Sequence, residues 1–316
     1  MWKGAVLTCV WAAVAVGGAA RAAGTAPSCD RACLTGILDQ YLAGLVAHDP
    51  SRVPFATKVK FTENNVQLRI GDGLWGTVSG IRHDSDLSFA DPADGEVGYY
   101  GVVEEHGNPA YIALRLKVAG RKITEVESIV CRKGDGPGPT ANFGALRHDP
   151  SFSETEPAKA RSSRAQLIAL ANGYFSTLER NDGTLHTRFD PSCSRLEDGW
   201  NSAGDPEAKD PFTRLSCGGQ FKLGYYRWDD RVRDRRFLVI DEERGLVAAR
   251  MFIDHRAVLT DYTLTNGEHR VSPIKAPHTW CALELFKIVN GEIYRIEAVF
   301  IPVPYYMPSP WSRHTE

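Results

Sequence analysis

The chain has 316 residues, 43% hydrophobic and 24% charged, with a formal net charge of -2. That balance belongs to a globular fold and excludes a fibrous or disordered chain, and the length admits two domains of ordinary size. The charge offers no footing for nucleic acid.

Residues 1–22 read as an export signal, with Lys3 as its positive charge, an apolar run from Ala5 to Ala20, and a small-x-small cleavage site at Ala20-Arg21-Ala22. The run is short for a membrane anchor, so a periplasmic or secreted protein without stable membrane insertion is expected. Six cysteines follow the signal, and in an oxidising compartment they favour disulfides. Cys193 and Cys217 flank one loop and form a natural pair. Cys29 and Cys33 sit at the first helical turn, where Cys131 could return beside them, and Cys281 is left as a buried thiol. With no Cys-x-x-Cys, His-x-His or His-Glu-x-x-His, no metal site is expected.

Leu34, Ile37, Leu38, Tyr41, Leu42 and Leu45 share one helical face, and Asp49-Pro50 ends that helix. A strand over Lys58–Asn64 follows, then turns at Gly71-Asp-Gly73 and Gly76, two strands between Gly98 and Val118, and a closing strand from Ile123 to Cys131. The Gly/Pro-rich stretch 134–163 reads as an unpacked linker. The order then repeats. Leu34–Asp49 aligns without a gap on Leu167–Asp182, placing Tyr41 on Tyr174. Phe61-Thr-Glu63-Asn64 is matched to Phe189-Asp190. Ile123-Thr-Glu-Val-Glu127-Ser-Ile is matched to Ile293-Tyr-Arg-Ile-Glu297-Ala-Val. Further strands are expected over Phe237–Asp241, Gly245–His255, Thr279–Val289 and Ile293–Val303. The charged run Arg227–Arg236 reads as a solvated hairpin or an arginine-lined mouth. The proline-rich tail 305–316 either covers a pocket or staples the halves, and the segment from Ile301 is excluded from a central strand.

Helices followed by a long sheet give an α+β class. The expected architecture is two tandem cone-shaped domains, 29–133 and 164–304, each with N-terminal helices packed on a strongly curved antiparallel sheet around a small-molecule cavity.

The helix with its internal tyrosine, the strand Phe61-Thr-Glu-Asn64, the turn Gly71-Asp-Gly-Leu-Trp75 and the closing Ile-x-x-Val/Ile-Glu-x-Ile/Val resemble the SnoaL-like (nuclear-transport-factor-2-like) superfamily. Residues 29–131, from Cys29-x-x-x-Cys33 to Trp75 and beyond, resemble an exported branch of it of unknown function. The resemblance implies the cone-shaped fold. It spans dehydratases, isomerases, cyclases, epoxide hydrolases, lyases and non-catalytic binders, so it fixes no activity.

Nucleophile, nucleotide and phosphate motifs are absent from the sequence. What remains is acid–base chemistry by carboxylates and histidines in an apolar pocket. The period-two run Val247, Ala249, Met251, Ile253 carries His255 onto the apolar face, as general base or acid, with Asp190 or Glu297 orienting it and Tyr174 holding a ligand oxygen. Glu63 is the comparable carboxylate of the first half. Trp75, Asn64, Arg115 and Tyr306 are candidate ligand contacts. His48 and Asp49 read as a helix cap. The expected function is cofactor-independent lyase, dehydratase or isomerase chemistry on a small apolar or aromatic oxygenated compound. The alternatives are a non-catalytic carrier, an epoxide hydrolase, or a carboxylate-pair glycosidase or polysaccharide lyase using Glu63 with Glu127 or Asp190 with Glu297.

Overall fold

The computed structural model describes residues 1, 29–135 and 143–312; the expected export signal, part of the linker and the last residues of the tail lie outside them. Asp30 starts helix α1 (Arg31–Val46) by accepting the Cys33 N–H, and the buried stripe is the sequence-derived one. Strands β1 (Phe55–Glu63) and β2 (Val66–Gln67), the short helix α2 (Leu74–Thr77), and strands β3 (Gly80–Asp91), β4 (Glu96–Glu105), β5 (Asn108–Ala119) and β6 (Lys122–Cys131) complete the first half. Its sheet runs β2-β1-β6-β5-β4-β3.

The second half repeats this. Helix α3 (Arg164–Arg180) opens on a capping box between Ser163 and Gln166. Strands β7 (Phe189–Glu197) and β8 (Trp200–Ala203), helix α4 (Cys217–Lys222), and strands β9 (Arg231–Asp241), β10 (Leu246–His255), β13 (His278–Val289) and β14 (Glu292–Val303) follow. The hairpin β11 (Asp261–Thr263) and β12 (His269–Val271) is inserted between β10 and β13. The sheet order is β8-β7-β14-β13-β10-β9.

Three expectations about architecture need correction. First, the sheets are mixed: β1 runs parallel to β6 and β7 parallel to β14, because each post-helix strand enters beside the last strand of its half from the same end. Second, the fold is mainly β, with one long helix per half, and the sheets are not strongly curled. Both faces of each sheet are in use. One face meets the helix, and the other joins a shared core in which Tyr100, Val102, Tyr111 and Ile129 meet Leu238, Leu283, Leu285 and Val299. This explains why β4 is buried along most of its length rather than alternately. Third, the linker packs. Phe143, Leu146 and Phe152 are buried in that shared core, and 3-10 turns span Phe143–Ala145, Pro150–Ser153 and Ala158–Ala160. Three large apolar side chains outweigh the surrounding glycines and prolines.

The halves meet as a pseudo-symmetric dimer. Arg31 of α1 bonds Asp241 at the end of β9 (2.6 and 2.7 Å), and its counterpart Arg164 of α3 bonds Asp91 at the end of β3 (2.7 Å). Asp241 also accepts from the Ala90 N–H and Asp91 from the Ile240 N–H. Each contact is made twice with the roles exchanged, as across an isologous interface. The tail adds a staple: Asn65 donates to the Pro308 carbonyl, Arg233 to the Met307 carbonyl, and Trp311 Nε1 to Thr62 Oγ1. The excluded segment 301–303 does belong to β14, but Pro302 pairs only with β13, since the β7 pairing ends at Ala298. Disulfides join Cys29 to Cys33 and Cys193 to Cys217, while Cys131 and Cys281 are buried thiols.

Candidate active site in the second half

Register gives residue-by-residue equivalence between the halves. Glu63 pairs with Ser128 as Glu197 pairs with Ala298. Asn64 and Asp198, both at positive φ, each accept an N–H two residues further along, from Val130 and Phe300. The strand motif Phe61-Thr-Glu63-Asn64 therefore corresponds to Arg195-Leu-Glu197-Asp198, not to Phe189-Asp190; Phe189 corresponds to Phe55. Likewise Leu114 and Ile112 of β5 correspond to Glu284 and Ala282, and Tyr99 of β4 to Ala249.

Three of the exchanged positions, Arg195, Ala282 and Glu284, line a cavity. In the first half, Phe61, Tyr99, Ile112 and Leu114 are buried together in one apolar cluster. In the second half, tyrosine and isoleucine become alanines, while phenylalanine and leucine become arginine and glutamate. The cavity holds about 550 Å³ and is bordered by aromatic side chains that include Phe212, Tyr226, Trp228, Trp280 and Phe300. The β10–β13 connection spans 256–277, against 106–107 in the first half, and its Pro273–Ala276 stretch covers one side. Tyr262 and Leu264 anchor this insertion on Trp228.

Arg195, 1% exposed, is the centre of the polar wall. Its Nε donates to Ser202 Oγ (2.9 Å), Nη1 to the Tyr174 hydroxyl (3.2 Å), and Nη2 to Gln220 Oε1 (3.0 Å) and the Tyr226 hydroxyl. Of its five N–H groups one, on Nη1, remains for a ligand. Burial opposes the guanidinium charge, but Glu197 and the two tyrosine oxygens outweigh it and hold the group cationic. Glu284, 3% exposed, also lines the cavity. Burial pushes its carboxyl up to about 8; the Glu197 carboxylate adds to this, and Arg195 and the Tyr174 hydroxyl oppose it. Glu284 is thus a protonated acid at neutral pH, beside a fixed cation. Burial also raises Tyr174 well above the usual tyrosine range, so its hydroxyl stays neutral.

His255 lies on the apolar face of β10, as its period-two position requires, and is 1% exposed. Its partner is neither Asp190 nor Glu297. Nε2 bonds Asp229 Oδ1 at 2.8 Å, and the ring stacks on His278 at 4.6 Å. Asp229 and His278 line the cavity. Burial raises the Asp229 carboxyl, against the pull of His255, and lowers the His278 imidazole.

The other sequence-derived candidates sit elsewhere. Asp190 accepts from the Ser192 N–H and hydroxyl at the irregular start of β7. Glu297 points into the shared core, bonded to His148 Nδ1 (2.6 Å) and the Tyr111 hydroxyl (3.1 Å). Its counterpart Glu127 faces the same core and meets Arg236 and Arg250. The repeated closing phrase therefore joins the halves. Neither carboxylate pair is brought together around a cleft: Glu63 accepts the Leu74 N–H at the start of α2. Trp75 donates to the Tyr41 hydroxyl inside the first core, and Asn64 bonds the backbone of Val130. Arg115 is paired with Glu96 and Glu125. Tyr306 is exposed beneath Arg231 and Arg233. The Arg227–Arg236 run is partly β9, with Arg233, Arg235 and Arg236 committed to Asp254, Glu179 and Glu127. His48 bonds the Trp75 carbonyl, and Asp49 caps the turn at Pro50. Among the described residues no cluster of three or more His, Cys, Asp and Glu side chains could hold a metal.

The sequence profile of a domain of unknown function, DUF8021, matches residues 28–130 and again 160–300. The chain belongs to the DUF8021 family. It carries the domain twice, and the site just described lies in the second copy. No curated protein matches this DUF8021 chain. Solved structures similar to it include a de novo designed protein with a curved β-sheet (15% identity, 32% of this chain and 87% of that one, TM-score 0.27). AclR, a proposed hydroxylase from Streptomyces galilaeus, is another (15% identity, 44% and 90%, TM-score 0.29). A third is a protein from Sphaerobacter thermophilus (17% identity, 30% and 94%, TM-score 0.25). At these scores nothing carries over to DUF8021.

Proposed function

We propose that the second DUF8021 copy is an active site of SnoaL-like type, and that it moves protons on a small aromatic oxygenated compound as a lyase, dehydratase or isomerase. The observation that carries this reading is the buried Glu284 with Arg195 on the wall of an aromatic cavity. A carboxyl pushed up to about 8 is matched to proton exchange near neutrality. The free Nη1 N–H of Arg195 and the Tyr174 hydroxyl stabilise negative charge developing on a carbonyl or leaving oxygen, and Glu284 delivers the proton to that oxygen. Aromatic walls orient the ligand and keep out water that would screen these interactions. Asp229 and His278 line the cavity as well, and His255 lies behind them, bonded to Asp229 and stacked on His278. Each role falls to the chain's own side chains, without an organic cofactor. The two disulfides support export to an oxidising compartment, and no helix among the described residues is long and apolar enough to cross a membrane.

A carrier reading draws on the saturation of Arg195, four of whose five N–H groups are taken by protein partners. Mass spectrometry separates the two. A panel of aryl ketones, β-aryl ethers and aryl epoxides is incubated with wild type and Glu284→Gln. The enzyme reading expects a mass or isomer change that drops at least about a hundredfold in the variant. Return of every bound compound unchanged by wild type overturns it in favour of the carrier.

A further inference from the structure

The charges that line the cavity do not balance. Arg195 is matched by Glu197 at 3.3 Å. Asp210 and Lys275, of opposite sign, are both exposed to solvent. Asp229 is left over. Its side chain is only 5% exposed, and its Oδ1 is taken by His255 Nε2 at 2.8 Å. Oδ2 has no hydrogen-bond partner among the described residues, yet unlike His255 Nδ1 it keeps accessible surface, and Asp229 lines the cavity. The protein does not supply the missing positive charge. His255 Nδ1 is buried and meets no acceptor, so a second proton on that ring would be a buried donor without a partner. Burial also holds the stacked His278 imidazole towards its neutral form.

The surroundings of this oxygen suit a cation. Trp228 precedes Asp229 in the chain and packs edge-on against Tyr225 (4.9 Å) and Tyr226 (5.5 Å), and all three rings line the cavity. Aromatic faces carry negative potential, and a carboxylate oxygen among them repels an anion and attracts an ammonium group. Burial raises the Asp229 carboxyl against the pull of His255, as expected of an anion short of compensation.

We infer that the ligand is an oxygenated aromatic amine, whose ammonium group lies against Asp229 Oδ2 among the cavity rings while its oxygen lies at Arg195 and Glu284. This assignment rests on the second copy being the ligand site.

The probes are acetophenones with a para dimethylaminomethyl group, protonated at neutral pH, and the isosteric neutral para-isobutylacetophenone. Homologues of both with one and two further methylenes leave the reach open. Binding to the full chain, wild type and Asp229→Asn, is read by calorimetry at pH 7. In wild type the best ammonium ketone is expected to bind about tenfold tighter than its isostere. In Asp229→Asn that preference disappears, while the isobutyl series binds both proteins within about twofold, which also shows the variant folded. The wild-type comparison stands without the variant: isosteres that bind as tightly as the ammonium ketones at every length, or more tightly, overturn the inference and leave the ligand site standing. So does an ammonium preference that survives in Asp229→Asn. If no ketone of either series binds wild type, the ligand site itself fails, and the inference with it.

Discussion

Replacing Glu284 by Gln keeps the size and the hydrogen-bonding reach of the side chain but removes its titration. In the folded chain the carboxyl titrates at about 8, against an ordinary value of 4.5. Its folded-state pKa is raised, so its contribution to stability is fully present below the ordinary value and is lost as pH rises towards about 8. Over that window the folded chain binds more protons than the unfolded one, and stability falls by up to about 1.4 kcal/mol per pH unit. The total is on the order of 5 kcal/mol as a ceiling, less whatever relaxation of the cavity wall recovers. Urea titrations of wild type and Glu284→Gln between pH 5 and pH 9 isolate this group, because every other carboxyl is common to both. The difference in unfolding free energy should shift towards the variant by about 1 kcal/mol per pH unit between pH 5 and 8, then level off. Parallel curves over that range would refute the raised carboxyl and the acid role built on it.

Three further outcomes follow from the same geometry. The Cys193–Cys217 bridge closes a loop of 24 residues and ties β7, which bears Arg195, to α4, which bears Gln220, so the double serine variant should lose about 3.5 kcal/mol in urea unfolding. Replacing 256–277 by the two-residue turn His-Gly of the first half should change far-ultraviolet circular dichroism by no more than the lost β11–β12 hairpin but weaken aryl ketone binding about tenfold or more, because Pro273–Ala276 wall the cavity. Trp311→Ala removes a ring that packs against Lys60 (4.2 Å) and Arg236 (5.3 Å), and should cost about 2 kcal/mol and speed proteolysis of the tail.

The duplication was legible because helix faces and closing strands repeat as apolar patterns. The helix-to-strand spacing differs by a single residue, between Tyr41 and Phe55 and between Tyr174 and Phe189. Matching Phe61 to Phe189 dropped six residues and hid Arg195 and Glu197. The faithful match puts an arginine where the first copy has phenylalanine, a substitution that looks like divergence until register is known. Glu284 was harder to find. It interrupts the apolar run Cys281–Phe286, and a lone acid inside a doubly buried strand is the signal that was available for it. His255 was found by period two, yet its partner Asp229 comes from the loop before β9, which no local pattern connects to it. Glu297 drew attention because its phrase repeats. The repetition reflects the pseudo-symmetric contact of the two sheets, where both glutamates meet cationic or histidine partners.

Ligands enter the space opened by Ala282 in the second copy. Ala282 faces that space from β13, so Ala282→Trp fills it from a position that carries no polar role. Titration of para-hydroxyacetophenone into wild type and Ala282→Trp, followed by calorimetry, tests the claim. Saturable binding to wild type that is lost in the variant, with the unfolding midpoint of the variant at or above that of wild type, is the expected result. Equal affinity in both proteins would contradict it.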